Sequence, residues 1–230
     1  MGVDRRRARE KAERRAAILQ AAAGVFLEKG ISAASMDEIA ERTEVSKGTV
    51  YLYFASKEDL FVAVVSETFA FLARLFEDAV TQSSSGVEAL ARLGRQYFRF
   101  CRDYPDRFRL AFLNDSPAFY GNVSAKSLQD RYEKQQECAG WLTHALDLAK
   151  EEDVLRPDVD TELTANLLFA HTTGVIMFFG DESKKSRNLW SAPPLRELVE
   201  VSLRNTLRPL VTSEESLQRI ITLYNDAENE

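Results

Sequence analysis

The sequence predicts an all-α protein: an N-terminal three-helix head followed by a larger helical body. Three observations carry this reading. Apolar residues recur at helical spacing along nearly the whole chain, and the alternation expected of strands is almost missing. Serines able to cap helices stand just before successive apolar runs, at Ser35, Ser46, Ser56 and Ser213. Charge is also divided unevenly along the 230 residues. The first 57 hold 11 Lys/Arg against 8 Asp/Glu, and the remaining 173 hold 19 against 28, giving the overall −6. A basic head on an acidic body implies a division of labour.

In chain order, Ile18, Ala22, Val25 and Phe26 mark one face of a first helix that should end at Lys29-Gly30. Ser35 opens S-M-D-E, a capping box with Glu38, and Met36, Ile39 and Ala40 form a short apolar face. Ser46 can cap a third helix that buries Val50 and Phe54. Ser56 opens S-K-E-D before the long run of Leu60, Val64 and Val65. SSSG at 83–86 is the first linker-like break. Beyond it come amphipathic stretches at about 87–104, 106–118 and 123–151, punctuated by Pro105 and Pro117. RPDVD at 156–160 breaks the chain before a helix expected over about 161–181. DESKKSRNLWS reads as a polar loop. Pro193-Pro194 then fits the opening turn of a helix running to about Leu210. Ser213 caps a last helix that ends in an acidic tail.

Composition excludes several classes. With 45% hydrophobic and 29% charged residues the chain can bury a core and is not disordered. Cys101 and Cys138 are far apart, and no CxxC or Cys/His cluster suggests a metal or another cofactor. MGVDRRRAREKAERR lacks the apolar region of a secretory signal. The greasiest stretch, 165–180, is short for a membrane span and carries His171, Thr172 and Thr173. A cytoplasmic protein with no membrane partner is expected. No GxSxG, Walker loop, HExxH or Gly-rich dinucleotide turn is present, so an enzyme is not expected.

Residues 36–43, the turn Thr43-Glu44-Val45 and residues 47–54 describe a helix-turn-helix. Its second helix can enter the major groove of duplex DNA. With Val50 and Phe54 facing inward, Lys47, Gly48, Thr49, Tyr51 and Tyr53 are left on the exposed sides. Lys47 can donate to guanine, and Thr49 can reach a base edge or a thymine methyl. Gly48 costs helix stability, about 1 kcal/mol against alanine, which close approach of backbone to DNA would justify. Tyr51 and Tyr53 can hydrogen-bond phosphates. Lys57 and the helix starts at Ser35, Ser46 and Ser56 favour phosphate, because a helix start attracts anions.

The stretch M-D-E-I-A-E-R-T-E-V-S-K-G-T-V-Y-L-Y-F-A-S-K-E-D-L resembles the DNA-binding signature of the TetR family of bacterial transcriptional regulators, over about residues 14–65. In that family the positions of Lys47, Gly48, Thr49, Tyr51, Tyr53 and Lys57 form the operator-facing surface. One departure is visible: the family's turn usually reads Ala-Gly-Val, and here it is Thr43-Glu44-Val45. If that turn needs positive φ, Glu44 should cost about 1 kcal/mol relative to glycine.

The basic run holding Arg5, Arg6, Arg7 and Arg9 is either a solvated helix extension or a contact along phosphates or in a minor groove. The resemblance implies a DNA-binding domain at 1–65 and an effector-binding and dimerisation domain at 66–230. It also implies a repressor that binds a palindromic double-stranded operator as a homodimer and is released by a small molecule. Two late helices would pair across the dimer. Residues 161–181, with the small Ala170, Thr172, Thr173 and Gly174, and 194–210, with Leu195, Leu198, Val199, Val201 and Leu203, fit that role or an ordinary core. Aromatics crowd the middle of the body, as a core or as the wall of a cavity for a small apolar or aromatic effector. Phe112, Trp141, His144, Asn166, Phe169 and His171 are the candidate contacts. The alternative is a regulator with no small-molecule effector, controlled by a partner protein or by abundance.

Overall fold

The computed structural model describes residues 2–112, 117–180 and 194–226, with no side chain described for residues 2, 3, 117 and 118. Among them the structure is all-helical, with no strand. The polar loop expected at DESKKSRNLWS, Pro193 and the acidic tail beyond Asp226 lie outside the described residues.

Two compact units emerge. The first comprises residues 1–71 with 104–136, and the second 72–103 with 137–230. The first unit opens with α1 (Gly2–Ala33), α2 (Met36–Arg42) and α3 (Lys47–Tyr53). It continues with the start of α4 (Lys57–Thr81), then α6 (Pro105–Ala111), α7 (Pro117–Tyr120) and the start of α8 (Ala125–Glu151). The expected end of the first helix at Gly30 is real in its dihedrals: Gly30 has φ 74°, and the chain then resumes a last helical turn to Ala33. The single helix expected over 106–118 is instead the short α6 and a separate α7.

The core of this unit grows from the periodicity of its helices. Ile18, Val25 and Phe26 of α1, Ile39 of α2, Val50 of α3 and Leu60 and Phe61 of α4 are all buried. Phe61 is its aromatic centre, meeting Phe26 edge-on at 5.3 Å and Phe119 at 5.5 Å. Over Asp4–Ala33, α1 is long and apolar enough to cross a membrane by length and composition. Ile18, Ala22, Val25 and Phe26 assign that apolar stripe to the core instead.

The second unit holds the rest of α4 and α8 with α5 (Gly86–Asp103), α9 (Thr161–Phe179), α10 (Leu195–Leu207) and α11 (Glu214–Asn225). Phe76, Phe100, Leu146, Leu155, Leu217 and Ile221 are fully buried in it. The SSSG break ends where Gly86 packs against the backbone of Leu148 and Ala149, so close that a Cβ would overlap it. The Gly86 amide donates to Glu152 at 2.7 Å, which closes the crossing. Asp160 caps α9 by accepting from the Leu163 amide at 2.9 Å, and Ser213 caps α11 by accepting from Ser216 at 3.1 Å. α10 ends at Leu207, three residues short of the expected Leu210.

Candidate nucleic-acid interface

α2 and α3 are positioned by local chemistry that the sequence spells out. Ser35 accepts from the Glu38 amide at 3.2 Å and Ser46 from the Thr49 amide at 3.1 Å. Between them the chain reverses tightly. The Thr43 hydroxyl donates back to the Ile39 carbonyl at 2.9 Å, and the Val45 amide donates to the Ala40 carbonyl at 3.1 Å. That reversal puts Glu44 in the left-handed region, at φ 53°. Met36, Ile39 and Ala40 beneath α2, and Val50 beneath α3, seat the pair on the core.

Polar cross-links fix the pair to its neighbours. The Arg42 guanidinium grips the Glu28 carboxylate with both terminal nitrogens, one of them at 2.8 Å, and reaches Glu38 at 3.3 Å. Hydrogen bonding from Arg42 holds Glu28 below the usual carboxylate range. Lys29 pairs with Glu38 at 2.8 Å. Lys57, expected at a phosphate, donates to the carbonyls of Ala34 at 2.9 Å and Ser32 at 3.2 Å, where it closes the end of α1.

The outward face of α3 consists of Lys47, Gly48, Tyr51 and Leu52, all exposed. Lys47 bonds Asp37 of α2 at 2.8 Å, and that hydrogen bond raises its pKa. Tyr51 is 45% exposed and Leu52 84%. Thr49 and Tyr53 turn toward the flank. Thr49 is half-buried with its hydroxyl against Ser46 Oγ at 2.8 Å. Tyr53 is half-buried and lines a polar recess of about 280 Å³ with Arg15, Asp59, Ser124 and Lys126. Sequence reasoning missed Leu52. The signal was available, because Leu52 lies two positions from buried Val50 and so on the opposite side of the helix.

Arg5, Arg6 and Arg7 are exposed along the first turns of α1. Arg6 pairs with Glu10 at 2.7 Å and Arg9 with Glu13 at 3.3 Å, so i,i+4 pairs brace this extension as helix.

The second unit contains an apolar cavity of about 50 Å³, walled by residues including Phe76, Leu142, Phe169, Leu203 and Tyr224, with Tyr97 and Thr172 as polar members. Tyr97 shares a 2.5 Å hydrogen bond with Thr173. Of the six candidate effector contacts only Phe169 lines it. Phe112 belongs to the first unit, where its ring lies 5.0 Å from that of Phe108. Trp141 is half-buried and meets exposed His144 at 6.2 Å. Asn166 is exposed and donates to the Glu162 carbonyl at 3.0 Å. His171 bonds the Thr206 hydroxyl at 2.8 Å, joining α9 to α10. The structure therefore does not bring the six together.

Burial pushes the Cys138 thiol up to about 12 and the Cys101 thiol higher still, so neither is a thiolate at neutral pH. Among the described residues no group of three or more His, Cys, Asp or Glu gathers to hold a metal ion.

α9 leaves Leu163, Leu167, Met177 and Phe178 exposed, and α10 leaves Val201 exposed. With exposed Ala170 and Gly174 they form a stripe at heptad-like spacing. Thr172 and Thr173, expected with these small residues, face the interior.

Residues 18–64, which contain this helix-turn-helix, match the family described as "Bacterial regulatory proteins, tetR family". The chain is 36% identical over 103 residues to the HTH-type transcriptional activator FasR of Mycolicibacterium smegmatis, covering 45% of this chain and 47% of that protein. It thus spans about half that relative's length. It is 25% identical over 150 residues to the HTH-type transcriptional repressor KstR2 of Mycobacterium tuberculosis, covering 65% of this chain and 73% of that one. The fold is shared with FadR of Bacillus subtilis, solved in complex with stearoyl-CoA, at TM-score 0.66 and 19% identity over 83% of this chain and 96% of that one. These relatives are transcriptional regulators, not enzymes. A capped α2–turn–α3 unit that shows cationic and aromatic side chains to solvent, on residues matching that family, gives this chain the helix-turn-helix of the TetR family of bacterial regulatory proteins.

Proposed function

We propose that the protein is a cytoplasmic homodimeric repressor that reads a palindromic operator with α3 and leaves it when an uncharged apolar effector binds the second unit. The observation carrying the DNA part is the outward face of α3, where Lys47 and Tyr51 stand exposed on a helix anchored by Val50. Lys47 supplies a donor for guanine O6/N7, Tyr51 a hydroxyl for phosphate, and Gly48 lets the backbone come close. Lys57 acts indirectly in this reading, by holding the end of α1, and Arg5, Arg6 and Arg7 add sequence-independent phosphate contacts. Residues 1–65 are then the DNA-reading part and 66–230 the controlling part.

One such helix covers few base pairs, so two are needed one duplex turn apart, about 34 Å. The exposed α9–α10 stripe supports a twofold partner, because a run of Leu163, Leu167, Met177 and Phe178 facing water is costly unless covered. The effector would act by population shift, binding one arrangement of the dimer better than the one that fits DNA.

The cavity lining favours an apolar, uncharged effector, since among the described residues no charged side chain lines it. FadR's complex with stearoyl-CoA is a precedent for acyl ligands on this fold. Its size favours the second reading. About 50 Å³ is well below the roughly 300 Å³ at which ligand pockets begin, as expected of a regulator without a small-molecule effector.

Selection of bound fragments from genomic DNA, followed by titration of wild type and Lys47→Ala, tests the DNA reading. A palindromic consensus bound by wild type and lost in the folded, dimeric variant is expected. Equal affinity for all duplexes, or an unchanged Lys47→Ala, would sink it. For the cavity, the pair is a panel of fatty alcohols of graded chain length against wild type and Leu203→Trp. Chain-length-dependent release of DNA, lost in the filled variant, favours the effector; no release by any chain favours the second reading.

A further inference from the structure

We propose that Leu52 is a specificity-determining residue that reads the 5-methyl group of a thymine in the operator's major groove. This rests on the DNA-reading role of α3 and adds one base feature to it.

Leu52 is 84% exposed, the highest value among the exposed large hydrophobic residues of the described structure. Val50 is the buried residue of α3. At about 100° per residue Leu52 lies roughly 200° round the helix from it, as far from the core as the helix allows. Helical side chains lean toward the N-terminus, so Leu52 covers the turn before it, where the residue four back is Gly48. A Cβ at Gly48 would meet nothing nearer than Ser46 Oγ at 3.8 Å. Gly48 therefore leaves open space on the N-terminal side of Leu52, on the exposed face that also carries Lys47 and Tyr51. When this face enters a groove, Leu52 is the leading apolar surface.

A single exposed leucine elsewhere on a protein would mean little. Here it interrupts a polar, cationic face whose partner is a base edge, and it can form no hydrogen bond. Pressed on guanine O6/N7, on the cytosine amino group or on adenine N6/N7, it would strip water and return nothing. The thymine 5-methyl is the one apolar group on the major-groove edges. Methyl against methyl removes apolar area without stranding a polar atom, so thymine wins at the pair that Leu52 covers.

The test uses the full chain and its selected operator. Each thymine is replaced in turn by deoxyuridine, which deletes only the methyl, and binding is titrated for wild type and Leu52→Ala. Alanine is the strongest helix former and the site is exposed, so the variant keeps its fold. Wild type should lose about three- to fivefold at one thymine per half-site, the worth of one buried methyl. Leu52→Ala should be indifferent to that replacement while staying sensitive to guanine substitutions read by Lys47. Wild-type indifference to every replacement, or a sensitive thymine equally sensitive in Leu52→Ala, overturns the proposal and leaves the DNA reading standing. If no sequence can be selected, the DNA reading fails and this inference with it.

Discussion

The Asp59 carboxylate accepts the backbone amide of Ser124 at 2.9 Å while it also accepts the Ser56 hydroxyl at 3.0 Å. Asp59 is the fourth residue of the Ser56-Lys57-Glu58-Asp59 capping box at the start of α4, and Ser124 is the cap of α8. One buried carboxylate thus serves two helix starts, where the macrodipoles favour a negative charge. Burial pushes this carboxyl up, and hydrogen bonds from Ser127, Ser124 and Ser56 more than reverse it, so it sits below the usual carboxylate range. A depressed folded pKa stabilises above the unfolded value near ~3.9, and the contribution fades as pH falls through the folded one. Asp59→Asn should lower stability at pH 7 by about 1.5–3 kcal/mol. In urea unfolding, the gap between wild type and variant should narrow below about pH 4. A gap unchanged down to pH 3 would mean that shape, not charge, makes the contribution.

Lys47 enters its proposed role already paired with Asp37, 2.8 Å away and on the same exposed surface. Both side chains are more than half exposed, so the pair itself adds little stability. Its consequence lies in binding, because a carboxylate beside the groove repels phosphate and competes for the ammonium. Asp37→Asn should strengthen operator and non-specific binding by roughly two- to tenfold at low salt. The thermal midpoint should stay within about 1 °C. Filter binding across a salt series decides it: weaker binding in Asp37→Asn would mean that Asp37 holds Lys47 in register instead.

The turn between α2 and α3 was legible as a problem before it was legible as a structure. Glutamate where the family favours glycine pointed to a strained position, and Glu44 does have positive φ, at 53°. The helices of the head were readable for the same reason: Ser35, Ser46 and Ser56 each cap the helix that their spacing to the next apolar residue implies. What could not be read was which groups a side chain spends locally. Lys57 is drawn to the Ser32 and Ala34 carbonyls at the end of α1, 25 and 23 residues away in sequence, and the Thr49 hydroxyl is used by Ser46. The candidate effector residues scatter for a related reason. His171 and Asn166 share a helix with Phe169 but not its face, and the unusually apolar α9 gives no clean period to tell the faces apart. Glu44→Gly should relieve the turn, offset partly by glycine's larger entropy loss, for a net gain of about 0.5 kcal/mol. Urea unfolding measures it; a loss of stability would show that the Glu44 side chain contributes more than its backbone costs.

The stripe on α9 makes the oligomeric state the most direct test of the regulator as a whole. Leu167 is 56% exposed at its centre, one turn from Leu163 and from exposed Ala170. Leucine there does nothing for the folded chain that lysine could not do, because it lies across the helix from buried Ala165 and Ile176. Leu167→Lys should therefore leave helicity and the unfolding midpoint of the monomer intact. In a dimer, two buried ammonium groups would meet near the twofold axis with no counter-charge from Leu163, Ala170 or Gly174, at a cost of several kcal/mol. Sedimentation of wild type should report a dimer at micromolar concentration, and of Leu167→Lys a monomer. Operator affinity should fall by orders of magnitude in step, because a half-site bound alone loses the second recognition helix. A variant that stays dimeric would move the interface elsewhere, and one that stays monomeric yet binds the full operator unchanged would remove the need for a partner in DNA reading.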